Sequence, residues 1–343
     1  ASVLEREGFD VSILDCIGLS MDLDGVLSRA GEIGPGLIGI TATILTIDTA
    51  YEIGRALKKS FPSVPLVIGG AQFCANPEET LEKGPFDMGV IGEGEETFLE
   101  IAKSARSGKI SPEGIRGVLY KKEGGAQRNA VRQFISELDS IPFPSRHLYP
   151  PLSAYRPVPA SYKKKPVGLM ITSRGCPYQC IFCDRAVFGN AFRAHSPKYV
   201  VDEIEQLINK FGAREIRFMD DTFSMDVKRV HAICEEILRR GIKIPWTCNT
   251  RVDRVTLDLL KAIKKAGCWQ VIYGLESGDD RMLRAMKKGV TVRDNRNAVL
   301  LAKKAGLNVR ATFVFGMPGE TLESIRKTVD FAKEVELDVV NFF

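Results

Sequence analysis

Three cysteines stand close together near the middle of the chain, in a spacing that suits a metal cluster. Cys176, Cys180 and Cys183 follow the pattern C-x3-C-x2-C. Three thiolates can ligate three irons of a cubane and leave the fourth iron open, whereas an electron-transfer ferredoxin uses four cysteines. A structural zinc site needs four ligands, and the nearest candidate, His195, lies twelve residues on. The spacing therefore favours a 4Fe-4S cluster with an open iron over zinc.

The elements that position these cysteines belong to a second half of alternating strands and helices, residues 166–343. Strands are predicted at 167–172, 215–219, 243–248, 270–274, 308–315 and 338–343, and helices at 197–211, 226–240, 256–266, 294–305 and 321–334. Six such units are typical of a partial (β/α)6 barrel of the TIM type, whose active sites lie at the carboxyl ends of the strands. The cysteines directly follow the first of these strands, so they are expected at the catalytic mouth.

The first half, residues 1–105, also alternates between strands and helices. Strands are predicted at 9–14, 37–43, 65–68 and 88–91, with helices at 49–60, 78–83 and 96–104. This order is typical of an α/β domain with a doubly wound, Rossmann-like parallel sheet. Residues 106–165 are rich in proline and break the pattern, so they are predicted to be a linker with one hairpin, 117–120 against 131–135.

Composition and chain ends limit the possible classes of protein. A chain of 343 residues with 44% hydrophobic and 27% charged residues is typical of a soluble two-domain protein, and a net charge of +5 gives no nucleic-acid partner. No apolar run reaches the length of a membrane span. The eight cysteines do not form a disulfide framework, which indicates a cytoplasmic protein. We expect both ends to be truncated, because a helix opens the first sheet and a strand ends the second.

The cysteine segment resembles the signature of the radical S-adenosylmethionine (SAM) superfamily. That signature has the same spacing with an aromatic residue before the third cysteine, here Phe182. The resemblance implies a 4Fe-4S cluster that is reduced by an electron donor such as flavodoxin or ferredoxin. It further implies that SAM is cleaved to methionine and a 5′-deoxyadenosyl radical, which abstracts hydrogen from a small-molecule substrate. No catalytic residue is assigned beyond the cluster ligands.

Other strand ends would then contact SAM if the family pattern holds. Asp220 or Asp221 would receive the methionine ammonium, although Asp is also favoured as a helix N-cap. The Arg251 guanidinium would bind the SAM carboxylate through two parallel hydrogen bonds. The alternative is that Arg251 forms a surface salt bridge. The remaining expected SAM contacts are Phe182, Glu276, Ser277 and Gly316.

The first half resembles the cobalamin-binding domain of cobalamin-dependent radical SAM proteins, and the linker resembles theirs. The resemblance rests on the runs 38–41, 67–70 and 92–97, and it implies cobalamin contacts at Thr41, Thr46, Gly69, Gly70, Gly92, Glu93 and Gly94. The alternative is that these glycines serve only tight turns of an α/β scaffold. One departure from many cobalamin proteins is the absence of a D-x-H-x-x-G loop, and no histidine precedes His147.

The combined resemblance implies cobalamin-dependent methyl transfer to an unactivated carbon. A cobalamin-dependent cyclase or rearrangement enzyme without methyl transfer is the first alternative. A non-catalytic, zinc-binding scaffold is an alternative from another class of protein.

Overall fold

A computed structural model describes residues 1–108 and 110–343, which form two compact units. The N-terminal unit comprises Ala1–Pro150 and Asp184–Gly189, and the C-terminal unit comprises Pro151–Cys183 and Asn190–Phe343. The domain limits predicted at residues 105 and 166 remain predictions. Lys109, which falls in the predicted linker, lies outside the described residues. Every helix within the described ranges is too short or too polar to cross a bilayer.

The N-terminal unit is built on a mixed sheet with helices on both faces. Its elements are α1 Ser2–Arg6, α2 Leu23–Ile33, β1 Ile38–Thr41, α3 Ile47–Ser60, β2 Leu66–Gly69, α4 Ala71–Ala75, α5 Pro77–Lys83, β3 Met88–Val90, α6 Glu95–Arg106, β4 Val118–Lys122 and β5 Gly125–Arg128. Leu66 and Ile68 face a core that includes α3, whereas Val67 faces a second core with Ile101 of α6. The α/β class and the helices on both faces are confirmed.

The sheet differs from the sequence prediction at both of its edges. Strands β1, β2 and β3 are parallel, but β4 and β5 join antiparallel to give the order β1-β2-β3-β4-β5. The predicted strand at 9–14 is wrong, because β1 is the edge strand and pairs only with β2 among the described residues. The predicted hairpin partner at 131–135 is also wrong. Gly124 and Gly125 have positive φ angles and turn the chain earlier, so that Lys122 pairs with Gly125.

The C-terminal unit is a six-stranded parallel sheet whose helices connect consecutive strands, as predicted for a partial barrel. Its elements are β6 Val167–Met170, β7 Ser173–Arg174, β8 Arg193–Ala194, α7 Pro197–Asn209, β9 Glu215–Phe218, α8 Val227–Arg239, β10 Trp246–Thr250, α9 Leu257–Lys265, β11 Cys268–Glu276, α10 Asp280–Ala285, α11 Val292–Lys304, β12 Asn308–Phe313, α12 Leu322–Glu334 and β13 Val339–Phe342. The order β6-β9-β10-β11-β12-β13 follows the chain. This arrangement brings the carboxyl ends of all six strands to one edge.

Local sequence signals explain why these helices begin where they do. The Ser196 hydroxyl accepts a hydrogen bond from the Tyr199 N–H, and Pro197 opens α7, as the Ser-Pro pair predicts. Side chains of Asp226, Thr256, Thr291 and Thr321 cap α8, α9, α11 and α12 in the same way. Because the caps of α8, α9 and α12 fix the start of the helix that follows a strand, the residues between strand and helix are held at the mouth of the barrel.

Candidate active site

The three cysteines lie in a loop that a short antiparallel ladder closes. Ser173 pairs with Ala194 and Arg174 with Arg193, so β7 and β8 bring the two ends of the loop together. Within it, Cys180 is buried and Cys183 is exposed. The Ile181 N–H donates to the Met286 carbonyl at 3.1 Å, which ties the loop to the segment after α10. The cysteines therefore stand on a supported loop at the carboxyl end of β6.

The structure does not assemble a site for a single ion around these cysteines. Among residues 1–108 and 110–343, no three His, Cys, Asp or Glu side chains lie close enough to hold one metal ion. His195, the nearest candidate fourth zinc ligand, is buried with its ring stacked on Tyr199 at 4.0 Å. A 4Fe-4S cubane does not need the three cysteines around a single point, because each thiolate binds a different iron and the sulfurs stay apart.

Arg251 links the cysteine loop to two other segments. It is 5% exposed, and its Nη1 donates to the Cys180 sulfur at 3.8 Å. The guanidinium lies 3.4 Å from the Tyr178 ring centroid, pairs with Asp253 at 2.9 Å and donates to the Lys288 carbonyl at 2.8 Å. The salt bridge considered from the sequence is present, to Asp253, but the arginine side of it is buried. Arg251 is a buried residue whose positive charge lies beside the Cys180 sulfur of the cysteine loop.

A buried ion pair adjoins Arg251. Glu276 ends β11 with a φ of +62°, and its carboxylate meets the Lys288 ammonium at 2.8 Å with both side chains almost inaccessible. The same ammonium lies 5.8 Å from the centroid of the Phe182 ring. Glu276 is thus engaged within the protein, and Lys288 is a further charged residue beside the cysteine loop.

The two aspartates after β9 occupy different environments. Asp220 is fully buried, and its Oδ1 accepts hydrogen bonds from the Thr172 N–H, the Thr172 hydroxyl and the Ser173 hydroxyl. Burial raises the pKa of Asp220, although the bond from Ser173 and the charge of Arg229 oppose the rise. Asp221 is exposed as a residue, but neighbouring protein atoms partly desolvate its carboxylate and raise its pKa. Neither residue is the N-cap of α8, which is Asp226.

The remaining predicted SAM contacts divide between the protein interior and the mouth. The Ser277 hydroxyl bonds to Thr328 Oγ1 at 3.1 Å and accepts from the Asp279 N–H, so it faces α12. Phe182 is 37% exposed. Gly316 has a φ of +77°, and no atom lies within 4 Å of the position a Cβ would take. Phe182 and Gly316 therefore border open space, whereas Ser277 does not.

In the N-terminal unit, the turn after β1 carries exposed apolar side chains. Ile44 is 70% exposed and Leu45 is 90% exposed. The turn that bears them is closed by Thr46, whose hydroxyl accepts from the Thr43 N–H at 3.0 Å. Thr41 ends β1 beside Gly70, where an added Cβ would come 2.5 Å from the Thr41 hydroxyl. The carboxyl end of β1 thus combines hydroxyls with an exposed apolar tip.

The glycines after β2 and β3 differ in their roles. Gly69 has open space where a Cβ would project, while Gly70 and Gly92 need positive φ angles of +92° and +81°. Gly94 is the N-cap of α6. Glu93 is buried and its Oε2 accepts from the Ile135 N–H at 2.8 Å. Gly69 therefore leaves room at the sheet edge, whereas Glu93 holds the segment that follows β5.

Sequence reasoning missed four residues that the structure places at these two sites. Tyr178 and Lys288 surround Arg251, and Ile44 and Leu45 project from the β1 turn. Tyr178 stands inside the cysteine segment and could have been found from its spacing. Lys288 could not, because it follows α10, which the sequence analysis did not predict.

Two family models match the chain in separate regions. A model of the "Radical SAM superfamily" matches residues 170–332, and a model of the "B12 binding domain" matches residues 1–102. The "Uncharacterized methyltransferase PH0819" of Pyrococcus horikoshii is 35% identical over 98% of this chain and 72% of its own length. The "Anaerobic magnesium-protoporphyrin IX monomethyl ester cyclase" of Cereibacter sphaeroides is 28% identical over 99% of this chain. The chain spans 56% of that cyclase.

A solved structure shares the fold over nearly the whole chain. The radical SAM methyltransferase TsrM from Kitasatospora setae superposes with a TM-score of 0.83 at 24% identity. The match covers 99% of this chain and 68% of TsrM. At this identity the likeness concerns the fold alone.

Proposed function

Because the chain belongs to the radical SAM superfamily, in the group with an N-terminal B12-binding domain, we propose that it carries the cofactor domains of a cobalamin-dependent radical SAM methyltransferase. Its cofactors are a 4Fe-4S cluster, SAM and cobalamin. The observation that carries the proposal is the three-cysteine loop at the carboxyl end of β6, with Arg251 donating to Cys180. When bound, the cluster supplies the electron that cleaves SAM to methionine and a 5′-deoxyadenosyl radical, and cobalamin carries the methyl group.

The donor set fits an iron–sulfur cluster with an open iron. Cys176, Cys180 and Cys183 are the ligands, and no fourth cysteine stands in the loop. The Arg251 guanidinium donates to the Cys180 sulfur, so a positive charge lies beside one of the three proposed ligands. Lys288 and Glu276 hold Arg251 in place through the Lys288 carbonyl and the adjacent ion pair.

The mouth of the barrel fits SAM at three positions. Asp221 binds the methionine ammonium, since the residue is exposed and its carboxylate accepts no side-chain hydrogen bond from any described residue. Phe182 and Gly316 line the same mouth, where the side chain is partly exposed and the glycine leaves space. Asp220 acts indirectly, because its carboxylate anchors Thr172 and Ser173 immediately before the cysteine loop.

The β-sheet edge of the N-terminal unit fits cobalamin. Ile44 and Leu45 offer an apolar surface for a macrocycle, and Gly69 leaves room beside them. Thr41 and Gly70 shape the edge, while Thr46 closes the turn. Within the described residues the turn 42–46 contains no histidine, so it offers the cobalt no imidazole ligand.

A cyclase or rearrangement activity is the second candidate function. The observation that favours it is the 28% identity to a magnesium-protoporphyrin ester cyclase across 99% of the chain. Both candidates act on a small-molecule substrate with a flavodoxin or ferredoxin as the electron donor, in the cytoplasm. They differ in whether a methyl group reaches the product.

The test of methyl transfer uses SAM with a deuterated methyl group. The protein, prepared anaerobically with iron, sulfide and cobalamin, would be incubated with dithionite and the labelled SAM, and the products followed by mass spectrometry. A methyltransferase should release S-adenosylhomocysteine as well as 5′-deoxyadenosine. Release of 5′-deoxyadenosine with no S-adenosylhomocysteine would favour the cyclase, and release of neither would contradict both candidates.

A further inference from the structure

Two buried hydrogen-bonding atoms on neighbouring barrel strands have no partner among the described residues. They are the Nε of Arg217 on β9 and the hydroxyl oxygen of Thr247 on β10. The two residues are register partners, so their side chains stand side by side. Buried donors are rarely left without an acceptor, because each loses its bond to water without replacement. The pair therefore indicates a place for an acceptor that the chain itself does not supply.

The alternation of side chains along each strand places both groups on the inner face of the barrel. Ile216 and Phe218, which flank Arg217, belong to the core between the sheet and its helices. Trp246 and Cys248, which flank Thr247, belong to the same core. Because successive side chains of a strand point to opposite faces, Arg217 and Thr247 face away from the helices.

A second arginine faces the same interior. Arg310 lies on β12 between Val309 and Ala311, which both pack in the helix-side core, and its Nε donates to Asn341 Oδ1 at 2.9 Å. Burial lowers the pKa of Arg217, and the positive charge of Arg310 lowers it further. Both guanidinium groups therefore lie on the interior face of the barrel.

No carboxylate of the described residues neutralises this pair. Glu215 is the acidic residue nearest along β9, on the same face as Arg217, but both of its oxygens are engaged. Its Oε2 accepts from the Lys163 and Lys164 N–H groups at 2.6 and 2.8 Å, and its Oε1 accepts from Trp269 Nε1 at 2.9 Å. Throughout residues 1–108 and 110–343, neither Arg217 nor Arg310 forms an ion pair.

The position suits a substrate that reaches toward the mouth. Arg217 is the last residue but one of β9 and therefore lies near the carboxyl end of that strand. A ligand group held at Arg217 would thus leave the body of the molecule extending toward the strand ends, where the cysteine loop stands.

We propose that Arg217, Thr247 and Arg310 form an oxyanion-binding subsite that holds a carboxylate or phosphate group of the substrate. The Arg217 guanidinium and the Thr247 hydroxyl donate to the anion, and Arg310 contributes the second positive charge. The subsite defines the substrate as an anionic small molecule. This inference rests on the proposed function, because it assumes that the barrel interior receives the substrate.

Isothermal titration calorimetry on the full chain tests the subsite with three probes: inorganic phosphate, succinate and uncharged dimethyl succinate. The variants are Arg217→Gln, Arg310→Gln and Thr247→Val, with Arg214→Gln as the control, because Arg214 is exposed and lies just before the same strand. Circular dichroism checks that each variant is folded. Phosphate and succinate arms distinguish the two kinds of oxyanion.

Saturable binding of phosphate or succinate, weakened at least tenfold in Arg217→Gln and Arg310→Gln and severalfold in Thr247→Val, would support the subsite. Arg214→Gln should bind as the unaltered chain does, and dimethyl succinate should not bind. Equal anion affinity in all variants, or no saturable binding of either anion by the unaltered chain, would overturn it. Release of 5′-deoxyadenosine without substrate is measured in parallel, and its absence from the unaltered protein would count against the proposed function instead.

Discussion

Removal of the Asp220 side chain should destabilise the C-terminal unit, because that carboxylate organises the residues before the cysteine loop. Its Oδ1 accepts three hydrogen bonds, from the Thr172 N–H and from the hydroxyls of Thr172 and Ser173, in a fully buried position. At a net value of about 1 kcal/mol for each bond, Asp220→Ala should lose about 3 kcal/mol of unfolding free energy. Asp220→Asn retains an acceptor oxygen and should lose about 1 kcal/mol or less.

Thermal unfolding of the apoprotein measures this difference, with iron content after anaerobic reconstitution as the second readout. For a unit of this size about 3 kcal/mol corresponds to a fall of about 6–12 °C in Tm. Asp221→Ala is the matched control. Asp221 is exposed and has no side-chain bond to lose, so its removal should change stability by less than about 0.5 kcal/mol. The control should instead weaken SAM binding if Asp221 binds the ammonium.

Two results would refute this reasoning. A Tm for Asp220→Ala within about 2 °C of the unaltered protein would show that the three bonds do not support the loop. Equal losses in Asp220→Ala and Asp220→Asn would show that the charge, rather than the accepted hydrogen bonds, determines stability at this position.

Three further predictions concern the same unit. Lys288→Met should lower the free energy of urea unfolding by about 3–5 kcal/mol, because it leaves the Glu276 carboxylate buried without its ion-pair partner. The double variant Glu276→Gln/Lys288→Met should recover most of this loss. No recovery in the double variant would contradict the pairing. Ser277→Ala should lower the free energy of unfolding by about 1 kcal/mol and leave SAM cleavage unchanged, since the Ser277 hydroxyl bonds to Thr328 and to the Asp279 N–H. A large loss of SAM cleavage would instead favour the SAM contact predicted from the sequence. Burial raises the pKa of Asp220 in the folded state, so the folded protein binds this proton more tightly than the unfolded chain does. The stability of the unaltered protein relative to Asp220→Asn should therefore decline as pH rises from about 3.9 through the folded pKa. A rise in relative stability over that range would contradict the burial effect.

Helices and strands with strong local signals could be predicted from the sequence. The six barrel strands and their helices carry a clear period, and Ser196-Pro197 marks the start of α7. Three helices, α2, α4 and α10, were not predicted. The first had local signals, because Asp22 caps it and Gly34 ends it, whereas α4 and α10 are short segments of five and six residues. Strand pairing was the weaker inference, because the place of β5 depends on a Gly-Gly turn and on which strand lies at the sheet edge.

The predictions for the site divide according to how far apart the partners lie in the chain. The spacing of Cys176, Cys180 and Cys183 is local, so the sequence could identify them. The engagement of Ser277 by Thr328 and of Glu276 by Lys288 depends on contacts between distant segments. No spacing rule could therefore separate the residues that face the mouth from those that pack behind it.

The central claim is that Cys176, Cys180 and Cys183 hold a cluster that cleaves SAM. The most direct measurement is iron content and 5′-deoxyadenosine release after anaerobic reconstitution with dithionite and SAM, compared among the unaltered parent protein, Cys180→Ala and Cys234→Ala. Cys234 is a buried residue of α8 in the hydrophobic core, so it controls for loss of a thiol. We predict about four irons per chain with 5′-deoxyadenosine release in the parent and in Cys234→Ala, and loss of the release in Cys180→Ala. Zinc in place of iron, or release that survives in Cys180→Ala, would contradict the account.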